Sequence, residues 1–258
     1  MVHKTLALKV QGLTVHYQST PVLWDIDLAI PQGQLVGIIG PNGAGKSTFM
    51  KAILGLVRPT SGAVWMLGKE VKKVCKKIAY VPQKEAVDWD FPITVKELVL
   101  MGSFPKLGMF RLVGKKEHAK AMTYLEMVGM SDLCDRQISQ LSGGQQQRAF
   151  LARALLQEAD IYFLDEPLAG VDHASEEIIM ELLKALRQEG KTAFLVHHDL
   201  NSVEKYFDSV ILLNVRLIAT GKTSEVFTKN NIRQAYGKSF ALLDETLRLS
   251  QHKAAGVL

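Results

Sequence analysis

The sequence predicts an α/β protein built on a mostly parallel sheet, with an N-terminal antiparallel β-subdomain and an inserted α-helical subdomain. Three observations predict it. A short apolar run, a glycine-rich loop and a helical pattern follow one another between residues 34 and 56; strand and helix patterns alternate again from residue 160; and residues 85–158 are helical in pattern. Strands that alternate with helices form parallel sheets, because each helix carries the chain back across the sheet.

The first 35 residues alternate apolar and polar side chains, as a half-buried antiparallel sheet does. Within "VLWDIDLAI" the alternation predicts Asp25 and Asp27 on the polar face. The residues expected on the buried face are Val22, Trp24, Ile26, Leu28 and Ile30. The segments "GAVWMLG" and "KIAYVPQ" are two further strand candidates.

The inserted block contains three helical patterns, "TVKELVLMG", "KKEHAKAMTYLEMVGM" and "QQQRAFLARALLQ". Thr94 and Ser131 stand where N-caps are expected. We therefore predict a core with its β-subdomain at residues 1–84 and 159–228, and a helical subdomain at 85–158. Residues 229–258 form a polar, weakly periodic C-terminal tail in which we find no chemistry.

The length and amino-acid composition of the chain limit the classes of protein to which it can belong. With 258 residues, 47% apolar and 22% charged, the chain is long and apolar enough for a substantial core. It has no apolar run near the ~18–20 residues that span a bilayer and begins without a secretory signal pattern, so we expect a cytoplasmic protein. Cys75 and Cys134 lack metal-ligand spacing and are predicted to be reduced thiols.

The net charge of +5 would suit nucleic acid or an anionic membrane surface. The one dense basic run, residues 72–77, contains no aromatic side chain and adjoins a predicted strand. We interpret it as a solvated edge and expect no nucleic-acid partner.

The loop "GPNGAGKST" fits the pattern G-x-x-x-x-G-K-[ST] and stands between a strand and a helix, as a phosphate-binding P-loop does. Its glycines let backbone N–H groups converge on phosphates, Lys46 would reach the β- and γ-phosphates, and Ser47 would ligate Mg²⁺. The alternative, a glycine turn that only caps a helix, would need neither side chain. The predicted cofactor-binding residues here are Gly40, Pro41, Asn42, Gly43, Ala44, Gly45, Lys46, Ser47 and Thr48.

The segment "IYFLDEP" predicts the second half of a nucleotide site. Four apolar residues indicate a strand buried on both faces, and ligands bind at the carboxyl ends of such strands. Asp165 is the expected Mg²⁺ partner, and Glu166 would act as general base on an attacking water. The alternative is a helix N-terminus that carries acidic residues.

The segment "FLVHHDL" ends a third predicted buried strand. Neighbouring strand residues point to opposite faces, so His197 and His198 do not readily share a metal ion. Two interpretations of these histidines remain: a histidine in the core, or a contact to the γ-phosphate of a nucleotide. We favour the phosphate contact.

The segment "QLSGGQQQR" looks like a second anion cradle, since small residues bare backbone N–H groups at a helix N-terminus. With the other motifs it completes a series in one order over residues 6–227: Tyr17 in "HYQSTPVL", the P-loop, Gln83 in "YVPQ", "LSGGQ", "FLDEP", "LAGVD" and "HHD". In this series the chain closely resembles the ATP-binding subunit of an ATP-binding cassette (ABC) transporter. The resemblance implies the ABC ATPase fold, with a RecA-like P-loop NTPase core, and ATP and Mg²⁺ as cofactors.

The resemblance also implies roles for individual residues. Tyr17 would stack on adenine, Gln83 would sense Mg²⁺ and the attacking water while linking to the membrane partner, and His198 would contact the γ-phosphate. Asp172 of "LAGVD" would reach across a subunit boundary. The family often has Thr-Ser-Ala-Leu-Asp there, so Leu168 and Gly170 are departures from its pattern.

Family ATPases act as head-to-tail pairs, and this answers why one chain carries two cradles. The signature residues of one subunit close on the γ-phosphate held by the other subunit's P-loop. We therefore expect a second ATP-binding subunit, as a homodimer. The signature residues are Ser142, Gly143, Gly144 and Gln145.

The lack of a spanning segment implies separate permease subunits and, by family habit, a prokaryotic importer at the cytoplasmic face of the inner or plasma membrane. The stretch "DWDFPITV" resembles subunits that import manganese, zinc or iron with a metal-binding extracytoplasmic lipoprotein. Trp89 and Phe91 would dock the permease and Asp88 and Asp90 would meet its basic residues, or both aromatics only pack the insertion. The alternatives are import of iron-siderophore, haem or cobalamin, a soluble ABC ATPase in translation or DNA repair, and a non-hydrolysing regulatory module.

Overall fold

The computed structural model describes residues 5–18, 20–108 and 112–237, and in these ranges the predicted fold class is confirmed. The strands are β1 Leu6–Tyr17, β2 Thr20–Pro31, β3 Leu35–Ile39, β4 Ser61–Met66, β5 Lys69–Glu70, β6 Ile78–Val81, β7 Ile161–Leu164, β8 Thr192–Val196, β9 Ser209–Asn214 and β10 Arg216–Lys222. The helices are α1 Lys46–Ile53, α2 Val71–Val74, α3 Val95–Leu100, α4 Phe104–Leu107, α5 Lys115–Met127, α6 Gly143–Leu156, α7 His173–Gln188, α8 Val203–Tyr206, α9 Thr223–Val226 and α10 Lys229–Tyr236. Short 3-10 turns lie at Cys75–Lys77, Lys84–Ala86, Met101–Ser103, Ser131–Leu133 and Ile138–Gln140.

The smaller sheet has the order β2-β1-β4-β5 and is antiparallel throughout, as the alternation predicts. Its inner face, helix α1 and one face of the larger sheet share a single hydrophobic core. Because α1 is packed in this way on both sheets, the glycine loop ahead of it is anchored from two sides.

A bulge in β2 corrects the predicted buried face. Ile26, Leu28 and Ile30 are buried as expected, but Leu23 is buried in place of Trp24, which is 41% exposed. The pairing moves from Leu13↔Ile26 to Val15↔Leu23, so β2 carries one extra residue. Asp25 takes it up with φ +48, and its N–H donates to Thr14 Oγ1 at 3.0 Å. One extra residue reverses the facing of a strand, so Val22 and Trp24 do not join that core.

The larger sheet has the order β10-β9-β3-β8-β7-β6 and is parallel except for β10. Strands β3, β7 and β8 are buried along their whole lengths. The carboxyl ends of β3, β6, β7 and β8 lie at the same edge, where the motif-bearing loops follow them. This edge is where ligands bind in open α/β sheets.

The helical segment connects β6 to β7, its parallel neighbour in the sheet. The predicted cap of α3 is confirmed, because Thr94 and Glu97 form a reciprocal capping box. The predicted cap at Ser131 is wrong: Met130 precedes a three-residue 3-10 turn, and no side chain caps it. Gly129, with φ +65, follows the end of α5, and the chain after it makes only the turn Ser131–Leu133.

Helix α6 joins the helical segment to the sheet. Arg153 donates to Tyr80 O at 2.9 Å and Gln157 to Ile78 O at 2.6 Å, so α6 is fixed along β6. Buried apolar residues of α3, α5 and α6 belong to one core with the second face of the larger sheet. The segment therefore has no separate core among the described residues.

Helix α10 lies at the start of the predicted tail. Thr228 caps it, Ile232 and Ala235 are buried, and Asn214 Nδ2 donates to Ala235 O at 2.9 Å. The tail is thus better ordered at its start than its polarity predicts, and its remainder, 238–258, lies outside the described residues. Cys75 and Cys134 are free thiols, as predicted. Across the described ranges, no helix combines the length and apolar character that crossing a bilayer requires.

Stacking of Phe163 on Phe194 generates a stability prediction. The rings are 4.7 Å apart and 11° from parallel, and both side chains are fully buried in neighbouring strands. We expect Phe194→Ala to lower the free energy of unfolding by about 3–5 kcal/mol, measured by urea denaturation, because it leaves a cavity. The control Phe91→Ala removes a ring that is 51% exposed and should change stability by less than about 0.5 kcal/mol. Equal effects would contradict the core assignment.

Candidate functional site

The loop after β3 has the conformation of a phosphate cradle. Gly43 and Gly45 have φ of +79 and +88, values that L side chains rarely adopt. A Cβ on Gly40 would lie 2.1 Å from Leu213 O, and one on Gly45 2.7 Å from Val22 O. Only glycine fits at Gly40 and Gly45, whereas a Cβ on Gly43 would meet nothing within 4 Å. Tight packing behind the loop and open space before it leave backbone N–H groups free for a ligand.

Lys46 lies across this loop. Its ammonium donates to Gly40 O at 2.8 Å and to Pro41 O at 2.9 Å, and the side chain is buried. Burial lowers the pKa of Lys46, while the carboxylates of Glu166 and Asp165 act to raise it. The loop thus carries a cation held beside two acids.

Asp165 and Ser47 meet although the two residues are 118 positions apart in the sequence. The Ser47 hydroxyl donates to Asp165 Oδ1 at 3.2 Å, and Asp165 N donates to Val81 O at 2.9 Å. Burial raises the pKa of Asp165, an effect that the hydrogen bond from Ser47 opposes. A hydroxyl and a buried carboxylate are hard oxygen donors of the type that Mg²⁺ takes, so the pair fits that ion.

Glu166 completes the near side of the site. Its backbone has φ +53, a strained value for a side chain of this size that is typical of functional positions. Gln83 Nε2 lies 3.5 Å from Glu166 Oε2, at the long end of hydrogen-bond range. Together with the loop they border a cleft of about 450 Å³. The lining residues are Val22, Asn42, Gly43, Ala44, Gly45, Lys46, Ser47, Thr48, Gln83 and Glu166.

Tyr17 and His198 are among the predicted site residues that lie outside this lining. His198 is exposed, whereas His197 is buried with its Nε2 2.7 Å from Ser202 Oγ. Both residues follow the end of β8, and their ring centroids are 6.0 Å from each other with the ring planes tilted by 33°. Tyr17 ends β1 and is half exposed. The contacts expected of His198 and Tyr17 stay predictions.

The second cradle begins helix α6 as the sequence predicts, although the helix starts at Gly143, two residues before the predicted segment. Ser142 N donates to Gln145 Oε1 at 2.9 Å and Gln145 N to Ser142 Oγ at 3.3 Å, which is a capping box. A Cβ on Gly144 would lie 2.8 Å from Ser175 Oγ and 2.9 Å from Asp172 Oδ2. The N-termini of α6 and α7 are therefore packed against each other.

Asp172 is the N-cap of α7. Its Oδ1 accepts from Ser175 N at 2.9 Å and its Oδ2 from Ser175 Oγ at 2.8 Å. These bonds lower the pKa of Asp172. Both carboxylate oxygens of Asp172 thus accept hydrogen bonds from Ser175 of the same chain. The sequence prediction, that Asp172 reaches a second subunit, does not include these bonds.

Four residues of the site are absent from the sequence prediction: Val22, Lys84, Ser175 and Tyr236. Burial raises the pKa of Tyr236 to about 12, and its hydroxyl hydrogen-bonds the backbone of Gly40. A part of the tail that showed no chemistry thus touches the first P-loop glycine. Ser175 could have been found from the sequence, because it stands three residues after an Asp that caps a helix. The other three residues are recognisable only from tertiary contacts.

Metal-ligating side chains do not cluster in the described part of the chain: no group of three or more His, Cys, Asp or Glu residues could hold a metal ion. The Ser47–Asp165 pair is a different kind of site, because Mg²⁺ takes further ligands from bound phosphates and water.

Comparison with known proteins assigns the family. Residues 23–169 match the family described as ABC transporter. The zinc transport system ATP-binding protein TroB of Treponema pallidum is 55% identical over 90% of this chain and 87% of that protein. The manganese transport system ATP-binding protein MntB of Bacillus subtilis is 51% identical over 95% of this chain and 98% of that protein.

Solved structures agree with this assignment. A putative metal-chelate type ABC transporter in an inward-facing conformation matches with a TM-score of 0.78 and 28% identity, over 90% of this chain and 88% of that one. A dimeric ATP-binding cassette in a post-hydrolysis state, bound to ADP and Pi, matches with a TM-score of 0.74 and 30% identity, over 83% of this chain and 98% of that one. With a P-loop, an acid pair at the end of a buried strand and a signature helix in one fold, the chain belongs to the ABC transporter family, as an ATP-binding, ATPase subunit.

Proposed function

We propose that two copies of this chain bind MgATP head to tail and that hydrolysis at their interface drives import of a transition metal, manganese or zinc, through separate permease subunits. The observation that carries the ATPase proposal is the composition of the cleft. Gln83 and Glu166 border it, but none of the four signature residues does. A single chain leaves the phosphate site open on one side.

Within one chain, one half of the proposed site would bind the nucleotide with Mg²⁺ and would activate the attacking water. Backbone N–H groups of the P-loop and Lys46 would bind the phosphates, and Ser47 and Asp165 would hold Mg²⁺, which would neutralise phosphate charge. Glu166 would accept a proton from the attacking water, which Gln83 would orient, and His198 would contact the γ-phosphate. Tyr17 would stack on adenine.

The far half would come from the second chain. Residues 142–145 present backbone N–H groups at the N-terminus of a 14-residue helix, where partial positive charge favours a phosphate. Asp172, held by Ser175, would anchor the loop that reaches over the boundary. In this scheme residues 1–84 and 159–228 hold nucleotide, 85–158 carry the signature, and 229–258 form the tail.

The transported substrate is inferred from relatives and from one segment. Relatives named as zinc and manganese transport subunits share 55% and 51% identity with this chain. In "DWDFPITV" Trp89 packs edge-on against Phe150 at 5.2 Å, whereas Phe91 is 51% exposed. Trp89 therefore organises the segment, and Phe91 offers apolar area to a permease.

Import of a metal chelate is the second candidate, favoured by the fold match to a putative metal-chelate type ABC transporter. In either case the partners would be the permease and an extracytoplasmic metal-binding protein. The chain would sit on the cytoplasmic face of the membrane without entering it.

Glu166→Gln should leave ATP binding intact and trap an ATP-bound dimer, because the base is removed but the phosphate contacts remain. We expect turnover to fall about 10²–10⁴-fold, with a dimer visible by size-exclusion chromatography in ATP. The control Glu181→Gln changes an exposed glutamate on α7 and should behave as the parent. A Glu166→Gln variant with parental turnover would remove Glu166 from the role of base.

Gly144→Ala should abolish turnover while the monomer still binds ATP, because a Cβ there would press on Ser175 and Asp172 and displace the start of α6. The measurements are ATP affinity by titration calorimetry and phosphate release. Gly114→Ala is the matched control, since its Cβ would meet only the end of the Glu117 side chain, at 3.2 Å. If Gly144→Ala lowered the affinity of the monomer for ATP, Gly144 would act at its own chain's nucleotide site. That result would contradict the proposal.

Mixing a Ser142→Ala chain with a Lys46→Ala chain should restore ATPase activity, because one of the two sites then combines an intact P-loop with an intact signature. Each variant alone should be inactive. Dimers purified through two different tags that stay inactive would contradict the head-to-tail arrangement.

Metal uptake tests the transport proposal. Vesicles that contain the chain with its permease and binding protein should accumulate radioactive Mn²⁺ or Zn²⁺ in an ATP-dependent way. Competition among Mn²⁺, Zn²⁺ and Fe²⁺ would rank the metals. Uptake of an iron chelate or cobalamin in place of free ions would support the second candidate and contradict the first.

A further inference from the structure

The ammonium of Lys84 lies at the signature helix. Its Nζ is 3.2 Å from the point that a Cβ on Gly143 would occupy, and Gly170 O is 3.6 Å from the same point. Among the described residues Lys84 Nζ has no hydrogen bond or ion pair, and the side chain is half-buried. A half-buried ammonium with no partner, beside backbone N–H groups, adds positive charge where the signature residues begin.

Adjacent residues face different halves of the site. Gln83 borders the P-loop cleft and donates toward Glu166, whereas Lys84 faces Gly143. The backbone at Gln83 has φ −58 and ψ 144, close to polyproline II geometry, in which successive side chains point in directions about 120° apart. One peptide bond thus separates a residue of this chain's own nucleotide site from a residue of the partner-facing site.

Trp89 holds Lys84 in register with helix α6. The indole N–H of Trp89 donates to Lys84 O at 2.9 Å, and its ring packs on Phe150 of the same helix that begins at Gly143. The backbone of Val87 also donates to Lys84 O, at 3.2 Å. Lys84 is therefore linked through Trp89 to the helix that begins with the signature residues.

The charges around Lys84 leave it available to an anion. Asp172 lies beside Gly144, and its two carboxylate oxygens already accept hydrogen bonds from Ser175. The Ser142 hydroxyl is engaged with Gln145 N. An ammonium is a compact point charge with three donors, well suited to a phosphate oxygen.

We propose that Lys84 binds the terminal phosphate of the ATP held by the partner chain, together with residues 142–145 of its own chain. The assignment rests on the proposed head-to-tail function. It adds a charged side chain to a cradle that otherwise consists of backbone N–H groups and a helix dipole, and so makes closure of the pair more sensitive to phosphate charge.

The first test uses homodimers in the Glu166→Gln background. Lys84→Met should raise the ATP concentration at half-maximal dimer formation about tenfold, the loss expected for one charge-assisted hydrogen bond. Affinity of the monomer for ATP should stay unchanged, and Lys84→Arg should restore dimer formation. The charge-matched control Lys72→Ala, on α2, should change neither. Equal weakening of monomer ATP affinity by Lys84→Met, or an unchanged dimer midpoint, would overturn the assignment.

The second test uses mixed dimers in which one chain carries Lys46→Ala, so that only the other chain's P-loop binds ATP. Lys84→Met should weaken ATP-dependent pairing when placed on the Lys46→Ala chain, whose signature faces the working P-loop, and have no effect on the other chain. Ser142→Ala, placed in the same two ways, calibrates the arrangement. If Ser142→Ala shows this asymmetry and Lys84→Met does not, the assignment of Lys84 is wrong. If Ser142→Ala shows none, the head-to-tail proposal itself is wrong.

Discussion

The hydrogen bond between Ser47 and Asp165 is the contact on which the rest of the site depends. It joins the loop after β3 to the end of β7, two strands that do not pair directly, because β8 lies between them. The bond can form only if the sheet has this order and all three strands run in parallel. Burial raises the pKa of Asp165, whereas a cation placed beside the carboxyl would favour its charged form, as the proposed Mg²⁺ would.

The same edge organises the partner-facing half through β6. Gln83 follows this strand directly, and α6 is bonded along it by Arg153 and Gln157. A shift of α6 relative to the sheet would therefore disturb Gln83 and the signature residues together. Lys84 and Trp89 add a second connection between them. Under the proposed function, this continuity would couple closure on ATP to a permease that docks at the exposed Phe91.

Much of this organisation could be predicted from the sequence. The P-loop, the acid pair and the signature lie in short segments, and the local pattern of each segment is sufficient to identify it. The strand that precedes Asp165 is identifiable by its unbroken apolar run. The errors have local causes as well. The predicted burial of Trp24 is wrong because a bulge at Asp25 adds a residue to β2, and periodicity alone does not reveal that bulge. Ser131 satisfies the composition of a cap, but the chain there makes only a short turn.

The proposed chemistry follows from the sequence alone: which side chains would bind phosphate, which carry the acids, and which helix would begin with exposed N–H groups. Such features arise from neighbouring residues, so a linear pattern contains them. Tertiary contacts set which of these residues share a cleft. The tertiary structure placed Gln83 with Glu166 and Lys84 with Gly143, packed Gly144 against Ser175, and brought Tyr236 to Gly40. These contacts join residues far apart in the chain, and strand order and helix packing, which no local pattern encodes, set them.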